Sequence, residues 1–266
     1  MARFSADQAP SKYYKFAFCD GLEALSVTNH KTPFPAHFHQ TFNITLVYTG
    51  TFNTQLTDKF VLAPSGTILI TNPQEIHANP FQKDSSVSFF TLYVSQPFLA
   101  YCNDGKPVAF RQNSIDDAGL FTSLHLLSLK LSINNDFRLL ENDLRSVLSE
   151  LTAKYGSDHT HIAGNEQILF QELLADDNFE KFSLADAAKS FGIDKYKFIR
   201  LFKDQTGLTP NNYFIYKRIE KSKTMLAEGQ DLLSVAIDLG FYDAAHYCNH
   251  FKKFTGVSPM GYTSAG

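Results

Sequence analysis

The chain has no run approaching the roughly 18 to 20 apolar residues that a membrane-spanning helix requires, so its sequence offers no transmembrane helix. Its N-terminus, MARFSADQAPSKYYKF, carries charge and proline where a secretory signal needs an apolar stretch, and a cytoplasmic location is expected. Cysteine is scarce: Cys19, Cys102 and Cys248 are odd in number and far apart. That spacing fits reduced thiols and excludes a disulfide framework or a CxxC zinc site. There is no glycine-rich phosphate loop, and no Ser/His/Asp or Cys/His arrangement stands out, so no catalytic residue and no cofactor is assigned.

What is present suits an ordinary soluble globular chain. With 266 residues, 44% apolar and 19% charged, it can build two domains, each with its own core. The net charge of −3 argues against a nucleic-acid partner only until its distribution is read. Lys181 to Lys223 holds ten Lys/Arg against four Asp/Glu, a basic segment hidden by acidic residues elsewhere, among them Asp176, Asp177 and Glu180.

The texture changes along the chain. Residues 25 to 95 are rich in Thr, Val, Phe, Ile and Tyr, in short runs such as Phe42–Val47, Phe60–Leu62, Thr67–Ile70 and Val87–Val94. Turn-forming residues separate these runs, which predicts an antiparallel sandwich or barrel. From Asp116 the spacing becomes helical, with Leu120, Leu124, Leu127 and Leu131 in one helix and Leu140, Leu144, Val147, Leu148 and Leu151 in the next. Asn134-Asn135 separates the two helices, and the polar stretch from Tyr155 to Asn165 reads as a linker.

The last 85 or so residues repeat one pattern. Ala188, Gly192, Phe202-Lys203, Thr206-Gly207, Thr209-Pro210 and Tyr213 return as Ala236, Gly240, Phe251-Lys252, Thr255-Gly256, Ser258-Pro259 and Tyr262. Two copies make paired modules rather than a solenoid. Each has a small residue for close helix contact, a Gly turn and an apolar face on the second helix, which is what a helix-turn-helix needs. Ser183, Asp194, Asp231 and Asp243 are placed to cap the helix starts, with Asp186 in capping-box position. Gly207, Gly229 and Gly256 are placed to stop helices. In the first copy Ile193, Phe198, Leu201 and Phe202 are the expected core face of a helix from Asp194 to Gln205, leaving Tyr196, Lys197, Ile199, Arg200 and Lys203 outward. In the second, Phe241, Tyr247 and Phe251 do the structural work, and Ala245, His246, Asn249 and Lys252 remain outward.

On these residues, particularly IRLFKDQTGLTPNNYF and the stretch from Lys217 to Pro259, the region from about 165 to 263 resembles the C-terminal domain of AraC/XylS-type transcription regulators. The resemblance implies a linking helix, here Asn211 to Ala227, that presents two recognition helices to successive major grooves. It implies base reading by Tyr196, Ile199 and Arg200 in the first module and by Ala245, His246 and Asn249 in the second. Arg200 can offer a guanine two donors, and Asn249 can pair with adenine or bond phosphate, while Tyr196 and Ile199 can pack only on a thymine methyl or sugar. The second helix departs from the family in carrying Asn249 where Arg is common, and Thr263 stands where Arg is frequent. The first module is therefore the expected reader, with Lys252 and Lys253 gripping phosphate in the second.

Residues 33 to 80 resemble a cupin, the barrel many such regulators use to sense ligands. His37-Phe38-His39, Asn43 and Gly50 keep the first cupin spacing without its acidic ligand, and Pro64-Ser65-Gly66 to His77 is a degenerate second motif. His37, His39 and His77 suggest a three-histidine metal site. The lost carboxylate and the DNA-binding region favour instead an effector-facing pocket with no metal, touched by His37, His39, Asn43 and His77. Phe34, Phe38, Phe42, Phe52, Phe81, Phe89 and Phe90 either line an apolar cavity or fill the core. The leucine stripes either form a dimer seam or pack on their own barrel.

The expected fold is therefore α+β and multidomain. Residues 1–155 form a cupin-like β-barrel with a helical dimerisation segment, 156–164 a linker, and 165–266 an all-α domain with two helix-turn-helix motifs. The expected function is sequence-specific, effector-responsive regulation of transcription, as an activator. The expected partners are double-stranded DNA, RNA polymerase, a small-molecule effector and a second copy of the chain, with no membrane. A metal-dependent cupin enzyme is the alternative. An RNA-binding or protein-interaction module is disfavoured by the helix spacing and by the absence of aromatic RNA-binding strands.

Overall fold

The computed structural model describes residues 11–16, 19, 21–80, 86–133, 137–158, 170, 173–174 and 182–265. Packing divides the chain into two units, one of residues 1–33, 38–160 and 264–266, the other of Phe34–His37 and His161–Thr263.

The first unit is built on antiparallel strands β1 (Lys12–Phe16), β2 (Leu22–His30), β4 (Phe42–Thr49), β7 (Ile68–Thr71), β9 (Val87–Val94) and β11 (Ser114–Ile115), in the order β1-β2-β9-β4-β7-β11. A second sheet pairs β5 (Thr51–Leu56) with both β6 (Phe60–Pro64) and β8 (His77–Asn79). β4 lies between β9 and β7, with Ile44 opposite Leu92 and Ile70. Both of its faces are covered, so Phe42–Val47 is buried throughout even though polar Asn43 and Thr45 alternate with apolar Phe42, Ile44 and Leu46. Its even-numbered residues join one core with Ile68, Ile70, Phe90 and Leu92.

That core is completed by the helices α2 (Ala118–Ile133) and α3 (Phe137–Tyr155), which follow the short helix α1 (Gln96–Cys102) and strand β10 (Val108–Phe110). Leu120, Leu124, Leu127 and Leu131 of α2 and Leu140, Leu144, Leu148 and Leu151 of α3 are all buried in it. Each leucine so buried contributes about 1.5 to 3 kcal/mol, and the stripes are spent on their own sheet. They do not form a dimer seam. The opposite side of α2 carries Leu126 (53% exposed), Leu129 (48%) and Ile133 (85%). Of the expected linker, Gly156–Asp158 is a strand, β12, paired with β10; residues 159–164 lie outside the described residues, as do Asn134-Asn135 and Phe81.

The odd-numbered residues of β4 face the other way. Thr45 Oγ1 lies 2.8 Å from Thr91 Oγ1, and Phe52 of β5 meets Phe89 edge-on at 4.6 Å. Phe42 and Phe90 therefore belong to the helix-side core, whereas Phe52 and Phe89 pack between the two sheets. Around the barrel rim Asn72 and Asn113 converge on the Glu75 carboxylate, and Asn72 also exchanges two hydrogen bonds with the backbone of Phe110.

The second unit holds strand β3 (Phe34–His37) and the helices α4 (Leu184–Ser190), α5 (Lys195–Thr206), α6 (Pro210–Ala227), α7 (Leu232–Asp238), α8 (Ala244–Thr255) and α9 (Pro259–Thr263). The capping expectations hold: Ser183, Asp194, Asp231 and Asp243 each accept a backbone N–H from the first turn of α4, α5, α7 and α8. Gly207 and Gly256 end α5 and α8 in the left-handed conformation.

Gly50 turns the chain from one sheet to the other with φ of +75°, and a Cβ there would lie 2.3 Å from the Ser86 carbonyl oxygen. Gly50→Ala is expected to cost at least about 1 to 3 kcal/mol of stability, read as a lowered denaturant midpoint. An unchanged midpoint would show that this corner is not constrained.

Candidate functional site

The two halves of the C-terminal repeat are built alike down to single hydrogen bonds. In the first, Thr206 Oγ1 donates to the carbonyls of Phe202 and Leu208, and Phe202 meets Tyr213 edge-on at 5.6 Å. In the second, Thr255 Oγ1 donates to the carbonyls of Phe251 and Val257, and Phe251 meets Tyr262 at 5.5 Å. The Thr-Gly and Phe…Tyr elements of the repeat are thus a helix stop and an aromatic clasp. Gly192 and Gly240, at φ of +64° and +69°, make the turns between α4 and α5 and between α7 and α8.

The modules share α6. Tyr213, Phe214, Tyr216, Ile219, Ser222 and Leu226 of this helix are buried. Phe214 stacks on Phe182 at 3.9 Å and approaches Phe202 at 6.1 Å. Toward the second module, Arg218 Nη1 donates to the Gly240 carbonyl at 3.1 Å, with its guanidinium 5.8 Å from the Phe241 ring. Arg218 therefore supports the turn before α8, so not every cation of the basic segment is spent on solvent. A buried Phe170 fills the first module against Phe191, Phe198 and Phe202.

With Phe198 and Phe202 buried, α5 leaves Tyr196, Lys197, Arg200 and Lys203 exposed, while Ile199 is half-buried and so is Leu201. The Asp194 cap accepts from the amides of Lys197 and Tyr196, and these bonds, with Arg200 nearby, hold its carboxyl below the usual range. On α8, Tyr247 and Phe251 are buried, and Ala245, His246, Asn249, Lys252 and Lys253 are exposed. Positions 245, 249 and 252 follow one another at spacings of four and three, so they share one side of the helix.

His246 is less available than its exposure suggests. The Tyr242 amide donates to its Nδ1 at 3.4 Å, and its Nε2 lies 3.0 Å from Nε2 of His250. Both ring nitrogens are engaged within the protein. His250, which the sequence reading did not single out, is held neutral by burial and by His246 and Lys253 beside it, with its pKa lowered to about 4. Its i, i+4 spacing from His246 was the only signal.

In the first unit, Asn43 is buried on β4 opposite Thr71 and Tyr93. His39 lies with its ring 5.3 Å from both His77 and Tyr93. His77 begins β8, buried, with its Nδ1 2.9 Å from the Glu75 carbonyl, and burial lowers its pKa. His39 is past the end of β3, whereas the sequence reading put it with His37 on one strand. His37 itself is buried in the second unit, its Nδ1 2.7 Å from the Pro35 carbonyl. The strand alternation that brings Asn43 inward brings Thr45, Thr91 and Tyr93 with it; these were missed, although Asn43-Ile44-Thr45 already shows polar residues alternating with apolar ones.

Two family descriptions match this chain: an AraC-like ligand-binding domain over residues 21–151 and a helix-turn-helix domain over residues 187–265. The chain belongs to the AraC-type transcription regulators. Like other members of that class, it is a regulator with a ligand-binding domain rather than an enzyme. It is 26% identical to the uncharacterized HTH-type transcriptional regulator YbfI of Bacillus subtilis, over 85% of each chain. It is 22% identical to the HTH-type transcriptional activator RhaS of Pectobacterium carotovorum, over 89% of this chain and 90% of that one. A crystal structure of an apo ToxT variant from Vibrio cholerae shares the fold, with a TM-score of 0.55 at 12% identity over 97% of this chain and 99% of that one.

In this AraC-type regulator the depressed pKa of His250 carries a stability signature. The unfolded imidazole binds a proton near pH 6.5, whereas the folded one waits until about pH 4. Its contribution is complete above pH 6.5 and is lost as pH falls toward 4. The melting temperature is expected to fall less between pH 7 and pH 4.5 in His250→Gln than in the parent; parallel curves would contradict this.

Proposed function

We propose that this regulator binds DNA in a sequence-specific manner through residues 165–266, senses a small-molecule effector and dimerises through residues 1–155, and joins the two through 156–164. Arg200 carries the reading: it is exposed on α5, between one and two turns from the Asp194-capped start, within a basic segment. Its guanidinium can meet the two acceptors of a guanine edge in the major groove. Tyr196 and Ile199 supply apolar contact, and Lys197 and Lys203 neutralise phosphate. On α8, Asn249 is the direct reader, Ala245 and His246 lie beside it, and Lys252 and Lys253 hold the backbone.

The effector site we propose uses Asn43, His39 and His77, with Thr45, Thr91 and Tyr93 as further polar groups inside the barrel and no metal. His37, the fourth residue expected there, is retained as an effector contact on sequence grounds. An effector acts only if it binds the DNA-competent and incompetent arrangements unequally. Activation through RNA polymerase is supported by the likeness to RhaS, a named activator. The exposed Leu126, Leu129 and Ile133 on α2 support a homodimer, since such a stripe is costly to leave in water. No helix among the described residues is long and apolar enough to cross a membrane, which is in keeping with a cytoplasmic regulator.

Arg200→Ala is expected to weaken binding to a selected site by about 1 to 3 kcal/mol and to relax preference at one base pair, read by competition binding over all four bases at each position. Unchanged preference would remove Arg200 from the reading. For the dimer, Leu129→Glu with Ile133→Glu is expected to yield a monomer by sedimentation; a parent already monomeric at all concentrations would refute that part.

A further inference from the structure

The His246–His250 pair is built more carefully than an exposed base-reading residue requires. One helical turn separates the two, and their Nε2 atoms face each other at 3.0 Å. Their rings are perpendicular, 4.6 Å apart, and both lie against Phe241, at 5.7 and 6.3 Å. Phe241 is buried and lies beneath the Arg218 guanidinium. Because the Tyr242 amide donates to Nδ1 of His246, that nitrogen is the acceptor and the ring N–H of His246 is on Nε2, facing Nε2 of His250.

Two imidazole nitrogens bound to one ion at about 2.0 to 2.1 Å each stand about 2.9 Å apart at a right angle and about 3.3 Å apart at a tetrahedral angle. The observed separation lies inside that interval, so the two nitrogens can share one ion seated beside the line between them once each ring turns its Nε2 lone pair toward it. The i, i+4 spacing is also the one by which helical zinc motifs direct two histidines at a single metal.

We propose that His246 and His250 chelate a divalent transition ion of the imidazole-preferring class, Ni²⁺, Cu²⁺ or Zn²⁺. His250 binds through the lone pair it already presents. His246 binds through Nε2 after its proton moves to Nδ1. The cost is the 3.4 Å bond from the Tyr242 amide, a long and weak one on an exposed residue whose amide water can satisfy. Because His246 is exposed, the remaining coordination positions open toward solvent on the side of α8 assigned to DNA. Ion binding itself does not depend on the DNA-binding reading; only its consequence for DNA rests on that reading.

The test is calorimetric titration of the full, untagged chain with Ni²⁺ and, separately, Zn²⁺ at pH 7.5, alongside His246→Gln and His250→Gln, each first shown to melt cooperatively. Loss of one bound equivalent in both variants supports the chelate, as does selective shift or broadening of the His246 and His250 ring resonances in the parent. Equal stoichiometry and affinity in all three proteins overturns it. A DNA-binding arm with and without the ion keeps the two readings apart: ion uptake without DNA binding leaves the chelate standing and removes the proposed function.

Discussion

The aromatic packing that holds each recognition helix to its neighbours is the constraint on which the recognition surface depends. Phe202 with Tyr213 sets α5 against α6, Tyr216 meets Phe254 at 5.9 Å between α6 and α8, and Phe251 with Tyr262 sets α8 against α9. Large aromatic side chains bury much area and make directional edge-on contacts, so a recognition helix held this way keeps one face in the core and presents the other with little freedom to roll. Tyr196, Arg200, Asn249 and Lys252 are exposed because Phe198, Phe202, Tyr247 and Phe251 are not. Reading DNA needs that rigidity, since a bidentate contact to a base edge tolerates little misalignment.

The two copies nevertheless present different side chains. α5 begins at an Asp cap beside exposed Lys197 and Arg200, a face suited to both phosphate and a guanine edge. α8 begins at a similar cap, but the next side chain on its outward face, His246, is tied to Tyr242 and His250. The absence of an outward Arg on α8 is then less a loss than a change of chemistry, from a charged donor fork to a paired imidazole.

The repeat was the most legible part of the chain because its elements are local. Caps, Gly turns and the Thr-Gly stop involve residues within four or five positions of each other, and each formed as its spacing implied. The barrel was legible as a class but not in detail. Asn43 and His77 were identified from the cupin spacing, yet Thr91 and Tyr93 join them only through the pairing of β4 with β9, between segments more than forty residues apart. The leucine stripes show the limit most clearly, for the same periodicity serves an internal core or a dimer seam. The burial of Leu120, Leu124 and Leu127 settles which they serve, while Leu126, Leu129 and Ile133 form a second, exposed stripe on the opposite side.

The account stands most directly on in vitro selection of DNA sites by the purified full chain from a randomised duplex pool. Two unequal modules on one helix predict a split site whose half-elements lie about 10 to 10.5 base pairs apart, with stronger base preference in one half and weaker preference in the other. Enrichment of a single short element, or none at all with and without candidate effectors, would contradict it.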